Sequence, residues 1–394
     1  MDGMTFLVYL FYGAFFAFVM LLYTRSYILR GNEQTLPIAS KRSAQTALLP
    51  FLALLFTSFV ILTVFRDGGV GIDYYSYKAF FDSAARATLS DYIKIQMAIG
   101  GEPLYSTVSF AVKRLTNNFL IFLFIINTVI FLTQATLFSK TKGFLVPFAF
   151  YLILFFPLIF ESFNILRSCL AALIAIWGYI YLDKKNYFAA FLVFLAATMV
   201  HYTALFCFVV WAMCIICDRK VFRLKRCLFL ILLATTVLFV SIPRLMDMVL
   251  IIKPVYSYHL DAGGGVAVKS MAFYVIVFII SLFYSKKLIA HNPLNRIMII
   301  ALGSILITIP LQTMMALVAR MNLYAQCAVF FLVCEIFSTV KLTRRNLFPT
   351  MCVFLMIILL SLGWFYSHVT TVAVDYGIGN YKNMLFDSLF GETL

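Results

Sequence analysis

Charge is what this sequence has least of. Only 12% of its 394 residues are Asp, Glu, Lys or Arg, and 16 are acidic, against 63% that are hydrophobic. With a mean hydropathy of +0.99, a water-soluble globular protein is excluded, because too few polar residues remain to cover a surface facing water. Long polar stretches are lacking too. The two candidates for aqueous segments, residues 66–117 and 243–270, are too short and too apolar to build large cores of their own. No internal repeat of about 20 to 50 residues is present and the two halves show no inverted symmetry, so a solenoid is excluded and a transporter gains no support. The opening MDGM has no basic segment, and no small-residue cleavage site follows, so the first apolar run is expected to stay as an anchor and not to be removed as a signal peptide. All eight cysteines fall within or at the edges of apolar runs, which argues against an external disulfide framework. Cys214 and Cys217 form a CxxC, yet no second pair or histidine cluster completes a zinc site. No metal and no cofactor are expected.

What the chain does have is apolar runs of membrane-spanning length. Twelve are expected, at about 4–23, 44–65, 118–138, 144–160, 164–182, 186–200, 203–217, 227–242, 271–284, 297–318, 321–340 and 347–366, the sixth and seventh being short. The fold class is therefore an all-α polytopic membrane protein, one transmembrane domain over residues 1–394. The net charge of +15 would suggest nucleic acid in a soluble protein. Placing both termini outside, however, puts most of the 31 Lys and Arg residues in short cytoplasmic loops and leaves the outer side balanced. That is the positive-inside pattern, and no nucleic-acid surface is implied.

On this topology most acidic residues and polar clusters gather at the outer ends of the spans. The stretch 65-FRDGGVGIDYYSYKAFFD-82 sets an arginine, three aspartates and three glycines directly after an apolar run. Helical spacing of Asp73, Tyr77 and Phe80 or Phe81 predicts a short amphipathic helix over 73–87, and Glu102-Pro103 opens a second over 102–116. Both would lie in the membrane interface. The run 263-GGG-265, flanked by Tyr256, Tyr258, His259 and Asp261, is expected to be a mobile lid, and Pro310 is expected to kink the tenth span near Gln312.

Four ionisable residues converge on the outer rim: Arg66, Arg167, His201 and Arg320. Such groups at membrane depth are costly and usually functional. An arginine at a helix end also snorkels to head groups, and a lone histidine beside a turn is often a hydrogen-bonded structural residue, so both readings stay open for Arg66, Arg320 and His201. Arg167 sits about one turn inside a span, three residues after Asn164 and on the same face. The glycine turn at 68–71 frees backbone N–H groups to approach an anion, and arginines suit phosphate oxygens. The plainer reading of that turn is an exposed loop whose aspartates cap a helix.

The order R-D-x-x-x-G-x-D-Y-x-x-Y at 66–77, N-x-x-R at 164–167 and a His followed three residues later by Ala at 201–204 resembles the EpsG-type, Wzy-like bacterial polysaccharide polymerases. The tail 375-DYGIGNYKNMLF-386 is also similar to their C-terminal segment. Related sequences commonly have Arg-Gln where this chain has Arg167-Ser168, so no glutamine role carries over. The resemblance implies a GT-C-like enzyme in the bacterial inner membrane, its active site facing the periplasm, that lengthens O-antigen, capsule or exopolysaccharide. A glycan on undecaprenyl diphosphate would be the donor, the next lipid-linked repeat the acceptor, and membrane lipid and a chain-length regulator its candidate partners.

The residues fit that chemistry. A departing diphosphate needs positive charge, which Arg66, Arg167 and Arg320 can supply, with Tyr77, Asn164 and Tyr324 as further substrate-binding candidates. The attacking hydroxyl needs a base, for which Asp73 is expected and His201 is the alternative. Two rivals remain. A lipid-linked oligosaccharide flippase would spread its charges along a path through the bilayer midplane, and a membrane O-acyltransferase would need a constellation for a cytoplasmic acyl donor.

Overall fold

The computed structural model describes residues 49–66, 68, 70–141, 150, 154, 161–217, 268–312, 320–340 and 347–375, with scattered helical positions between 229 and 244. Among the described residues the regular structure is helical throughout. The first expected span, nearly all of the fourth, more than half of the eighth, the 263-GGG-265 run and the tail beyond Asp375 lie outside the described residues.

Among the described residues, four helices are long and apolar enough to cross a membrane: Phe119–Lys140, Leu166–Asp183, Asn322–Thr339 and Phe348–Tyr366. A fifth crossing follows if Met271–Phe283 and Ser285–His291, bent by 79° at a short break, count as one. The protein is thus a helical membrane protein. In lipid every backbone polar group must be paired within the chain, which leaves apolar runs of this length little choice but helix. Helix Leu49–Val64 and the shorter apolar helices Tyr187–Val200, Tyr202–Ile216 and Leu294–Ser304 fall at four more of the expected spans. Pro310 lies near the end of helix Leu294–Gln312, and residues 313–319 beyond it fall outside the described set.

Between Val64 and Phe119 the expected amphipathic segments appear as α-helix Tyr74–Ser83 with a 3-10 turn Ala84–Arg86, and as helix Pro103–Leu115. A third helix that the periodicity did not announce, Leu89–Ala98, sits between them. Thr88 starts it: its Oγ1 accepts from the Asp91 backbone N–H at 3.2 Å and donates to Asp91 Oδ2 at 2.7 Å.

The hairpin that carries His201 is built by close packing. Helix Leu166–Asp183 turns through Lys184-Lys185-Asn186, with Lys185 at φ 58° and Asn186 Oδ1 accepting from Ala189 N–H at 3.0 Å, into helix Tyr187–Val200. A Cβ on Gly178 would lie 2.2 Å from the Phe194 ring, so glycine permits this approach. Helix Tyr187–Val200 has 14 residues, about 21 Å of rise against a hydrocarbon core of about 30 Å. It breaks at His201, whose backbone is extended at φ −159° and ψ 128°, before the 3-10 turn Tyr202–Leu205 leads into Phe206–Cys217.

The two ends of the bundle differ. At one, Asn292 Nδ2 donates to the Lys140 carbonyl at 3.0 Å, and Asp183 sits in the field of Arg296, Lys140 and Lys184. At the other lie Arg66, Arg167, His201 and Arg320.

Candidate active site

The stretch after Val64 is packed onto the start of helix Leu166–Asp183. Arg66 does not snorkel: its side chain is 0% exposed, Nη1 donates to the Thr63 carbonyl at 2.7 Å, and its guanidinium lies over the Phe163 ring at 4.3 Å and the Tyr74 ring at 5.6 Å. Gly71 has φ +96°, and a Cβ there would meet the Phe163 carbonyl oxygen at 2.9 Å and Asn164 Oδ1 at 3.1 Å. Glycine at 71 thus supplies both a left-handed backbone and room for the 163–164 turn. Asn164 then ties the segments together, its Oδ1 accepting from the Asp73 backbone N–H at 3.4 Å and its carbonyl from Tyr77 Oη at 2.6 Å.

Arg167 stands in the first turn of its helix with its side chain 19% exposed. Nη1 donates to Glu102 Oε2 at 2.6 Å and to the Gly100 carbonyl at 3.3 Å, and the guanidinium lies 5.8 Å from the centre of the Tyr105 ring. Glu102 immediately precedes helix Pro103–Leu115 but makes no side-chain cap. It is 0% exposed, and its other oxygen, Oε1, is 2.5 Å from His201 Nδ1. One buried carboxylate therefore holds both the arginine and the histidine.

His201 is 4% exposed, and its Nε2 is buried without a hydrogen-bond partner among the described residues. Burial pushes its imidazole below the ordinary value. Glu102 works against that shift, and Arg167 and Arg320 add to it. The ring is therefore neutral at pH 7. Tyr105 Oη is likewise buried without a partner among the described residues, and burial holds that phenol well above its usual range.

Asp73 precedes helix Tyr74–Ser83 yet makes no capping bond, so the plain capping role does not account for it. Partial burial raises its carboxyl above the usual value, and Arg320 and Arg167 pull it back. Arg320, in the turn before helix Asn322–Thr339, thus reaches the same locus as Arg167. Tyr324 is buried one turn further on, with its Oη 3.1 Å from Thr203 Oγ1, so it pins the turn that carries His201.

The structure thus brings Asp73, Arg167, His201 and Arg320 to one locus. Tyr77, Asn164 and Tyr324 are spent on internal bonds that shape it, and Arg66 braces the 163–164 turn from behind. Two residues escaped the sequence reasoning. Glu102 was legible only as a helix start, although a glutamate where Ser, Thr, Asp or Asn usually caps was a signal. Tyr105, three residues on, carried none.

A family model described as the EpsG family matches residues 49–383 of the chain. No curated protein and no solved structure matches it.

Proposed function

The chain belongs to the EpsG family, and on that premise we propose that it is a membrane polysaccharide polymerase. It takes a growing glycan from undecaprenyl diphosphate and joins it to the next lipid-linked repeat on the outer face of the bacterial inner membrane. The twelve-span topology with residues 66–117 on the periplasmic side belongs to the same proposal.

The observation that carries this reading is the meeting of Arg167 and Arg320 around Asp73 at the end of the bundle where His201 also lies. With Arg66 behind them, three guanidinium groups stand among the carboxyl groups of Glu102, Asp73 and Glu161, so fixed cations are at hand for a phosphate. A diphosphate leaving group gains charge as the glycosidic bond breaks, and fixed guanidinium groups in a site of low dielectric stabilise it without reorganising. Charge gathered at one end suits chemistry at that face. A flippase path would instead need it through the midplane.

The test is elongation by purified protein in liposomes containing lipid-linked repeat. Wild-type protein lengthens the glycan, and Arg167→Ala slows it by about 10²- to 10³-fold, as loss of one preorganised donor does. Arg167→Lys recovers part of the rate, lacking the planar fork. Passage of intact repeat across the bilayer with no lengthening would replace this reading with the flippase.

A further inference from the structure

We propose that His201 is the base that takes the acceptor's proton, and that Glu102 is the positioning residue that holds the imidazole with its Nε2 lone pair presented. This assignment rests on the glycosyl-transfer reading above and reverses the order of Asp73 and His201 expected from sequence.

The two oxygens of one carboxyl group hold two side chains. Glu102 Oε2 takes a bond from Arg167 Nη1 at 2.6 Å and Oε1 lies 2.5 Å from His201 Nδ1, both inside a fully buried residue. A guanidinium that close keeps the carboxyl ionised, and a carboxylate only accepts hydrogen bonds. His201 Nδ1 therefore carries the proton and donates it, which leaves the lone pair on Nε2. An acid oriented behind a histidine in this way sets its tautomer and stabilises the imidazolium that forms.

The Nε2 atom is buried with no partner among the described residues. Leaving a buried polar atom unpaired costs about 1–3 kcal/mol, and native proteins rarely keep such an atom without a use. A second unpaired group, Tyr105 Oη, belongs to a ring that lies beside Arg167 on the helix that Glu102 starts. One acceptor and one hydroxyl bordering the same carboxylate–guanidinium pair suit a hydroxyl-bearing ligand such as a sugar. At Asp73 partial burial raises the carboxyl while Arg320 and Arg167 pull it back, and what sets His201 ahead of it is the carboxylate that holds its ring from behind.

In the step itself, the acceptor's hydroxyl oxygen forms a bond to the anomeric carbon. The bond from that carbon to the diphosphate oxygen breaks, and its electron pair leaves with the lipid diphosphate. The hydroxyl proton passes to His201 Nε2, and solvent takes it after the product departs. Among the described residues, the charged groups facing His201 are Glu102 from the start of helix Pro103–Leu115, Arg167 from helix Leu166–Asp183 and Arg320 from the turn before helix Asn322–Thr339.

The test joins a spectroscopic measurement to kinetics. Replacing His259, His291 and His368 by Gln leaves His201 as the one histidine. Its ¹⁵N shifts in labelled protein at pH 7.5 are expected to report the Nδ1–H tautomer, which Glu102→Gln loses because an amide can donate to Nδ1. In otherwise wild-type protein, Glu102→Gln and His201→Gln are each expected to lower single-turnover transfer by about 10²- to 10⁴-fold. The acid limb of the remaining Glu102→Gln rate should move to lower pH, because the group favouring the imidazolium is gone. Asp73→Asn should cost less than His201→Gln. An Nε2–H tautomer, wild-type transfer by His201→Gln, or an unmoved acid limb in Glu102→Gln would each overturn the assignment while leaving a working polymerase. Wild-type protein that never lengthens glycan would remove the glycosyl-transfer reading and the base with it, whatever the tautomer.

Discussion

Gly71→Ala tests how the glycine-rich turn builds the site, with Gly68→Ala as its control. At Gly71 the backbone has φ +96°, and an added Cβ would lie 2.9 Å from the Phe163 carbonyl oxygen and 3.1 Å from Asn164 Oδ1. The left-handed conformation costs an alanine about 1–2 kcal/mol. To relieve the contacts the loop must draw back from the 163–164 turn, which weakens the Asp73 N–H bond to Asn164 Oδ1, already 3.4 Å long. That adds about 0.5–1.5 kcal/mol, for a total of about 1.5–3.5 kcal/mol. At Gly68 the Cβ would meet the Tyr75 hydroxyl at 2.8 Å, on a ring that is 63% exposed and can swing aside, and the buried Tyr74 ring at 3.1 Å, while the φ lies outside the left-handed region. Without backbone strain its cost should be smaller, about 1 kcal/mol, the low end for an overpacked site. Melting of detergent-solubilised protein and single-turnover transfer in liposomes report the two effects. Gly71→Ala is expected to melt several degrees lower and to transfer about 10- to 100-fold more slowly, since small misplacements near the chemistry are costly. Gly68→Ala should fall closer to wild type in both. Equal behaviour of the two variants would show that the turn does not position the site, and the reasoning would fail.

Thr203→Val leaves the buried Tyr324 hydroxyl without its 3.1 Å partner and should destabilise by about 1–3 kcal/mol. Adding Tyr324→Phe should restore most of that loss, and an additive double variant would show that the pair is not coupled. Gly178→Ala places a methyl 2.2 Å from the Phe194 ring, at a cost of about 1–3 kcal/mol. Phe194→Leu in the same chain should recover it, and a melting temperature unchanged by Gly178→Ala alone would count against the close crossing. Because His201 is held below its ordinary value by burial, the unfolded chain binds its proton more readily than the folded one. Stability is therefore complete above pH of about 6.5 and falls as the pH drops from there towards the folded value. Melting temperatures from pH 8 to pH 5 should show that slope in wild type and a shallower one in His201→Gln, and parallel curves would refute it.

The residue that ties the site together is the one that sequence reasoning passed over. Hydropathy and helical spacing are local properties, and so they reached what local physics decides. Apolar runs such as 118–138 and 321–340 must be helical because lipid offers no partner for a free backbone group. Arg167, His201 and Arg320 stand near span ends because a bilayer expels charge, and Gly71 had to be glycine at a turn. The helices over 73–87 and 102–116 were legible for the same reason, and so was the family, from short motifs along the chain. Pairing across long separations left no such trace. Glu102 meets Arg167 across 65 residues and His201 across 99, and Asn164 takes the Asp73 N–H across 91. Nothing in the spacing of those residues sets their partners. They are set by how closely helix Leu166–Asp183 and helix Tyr187–Val200 approach at Gly178, and by where the 163–164 turn comes to rest against Gly71. Tertiary packing likewise enclosed Arg66, which the sequence left at a membrane surface, and decided that one buried carboxylate should hold a cation and an imidazole at once.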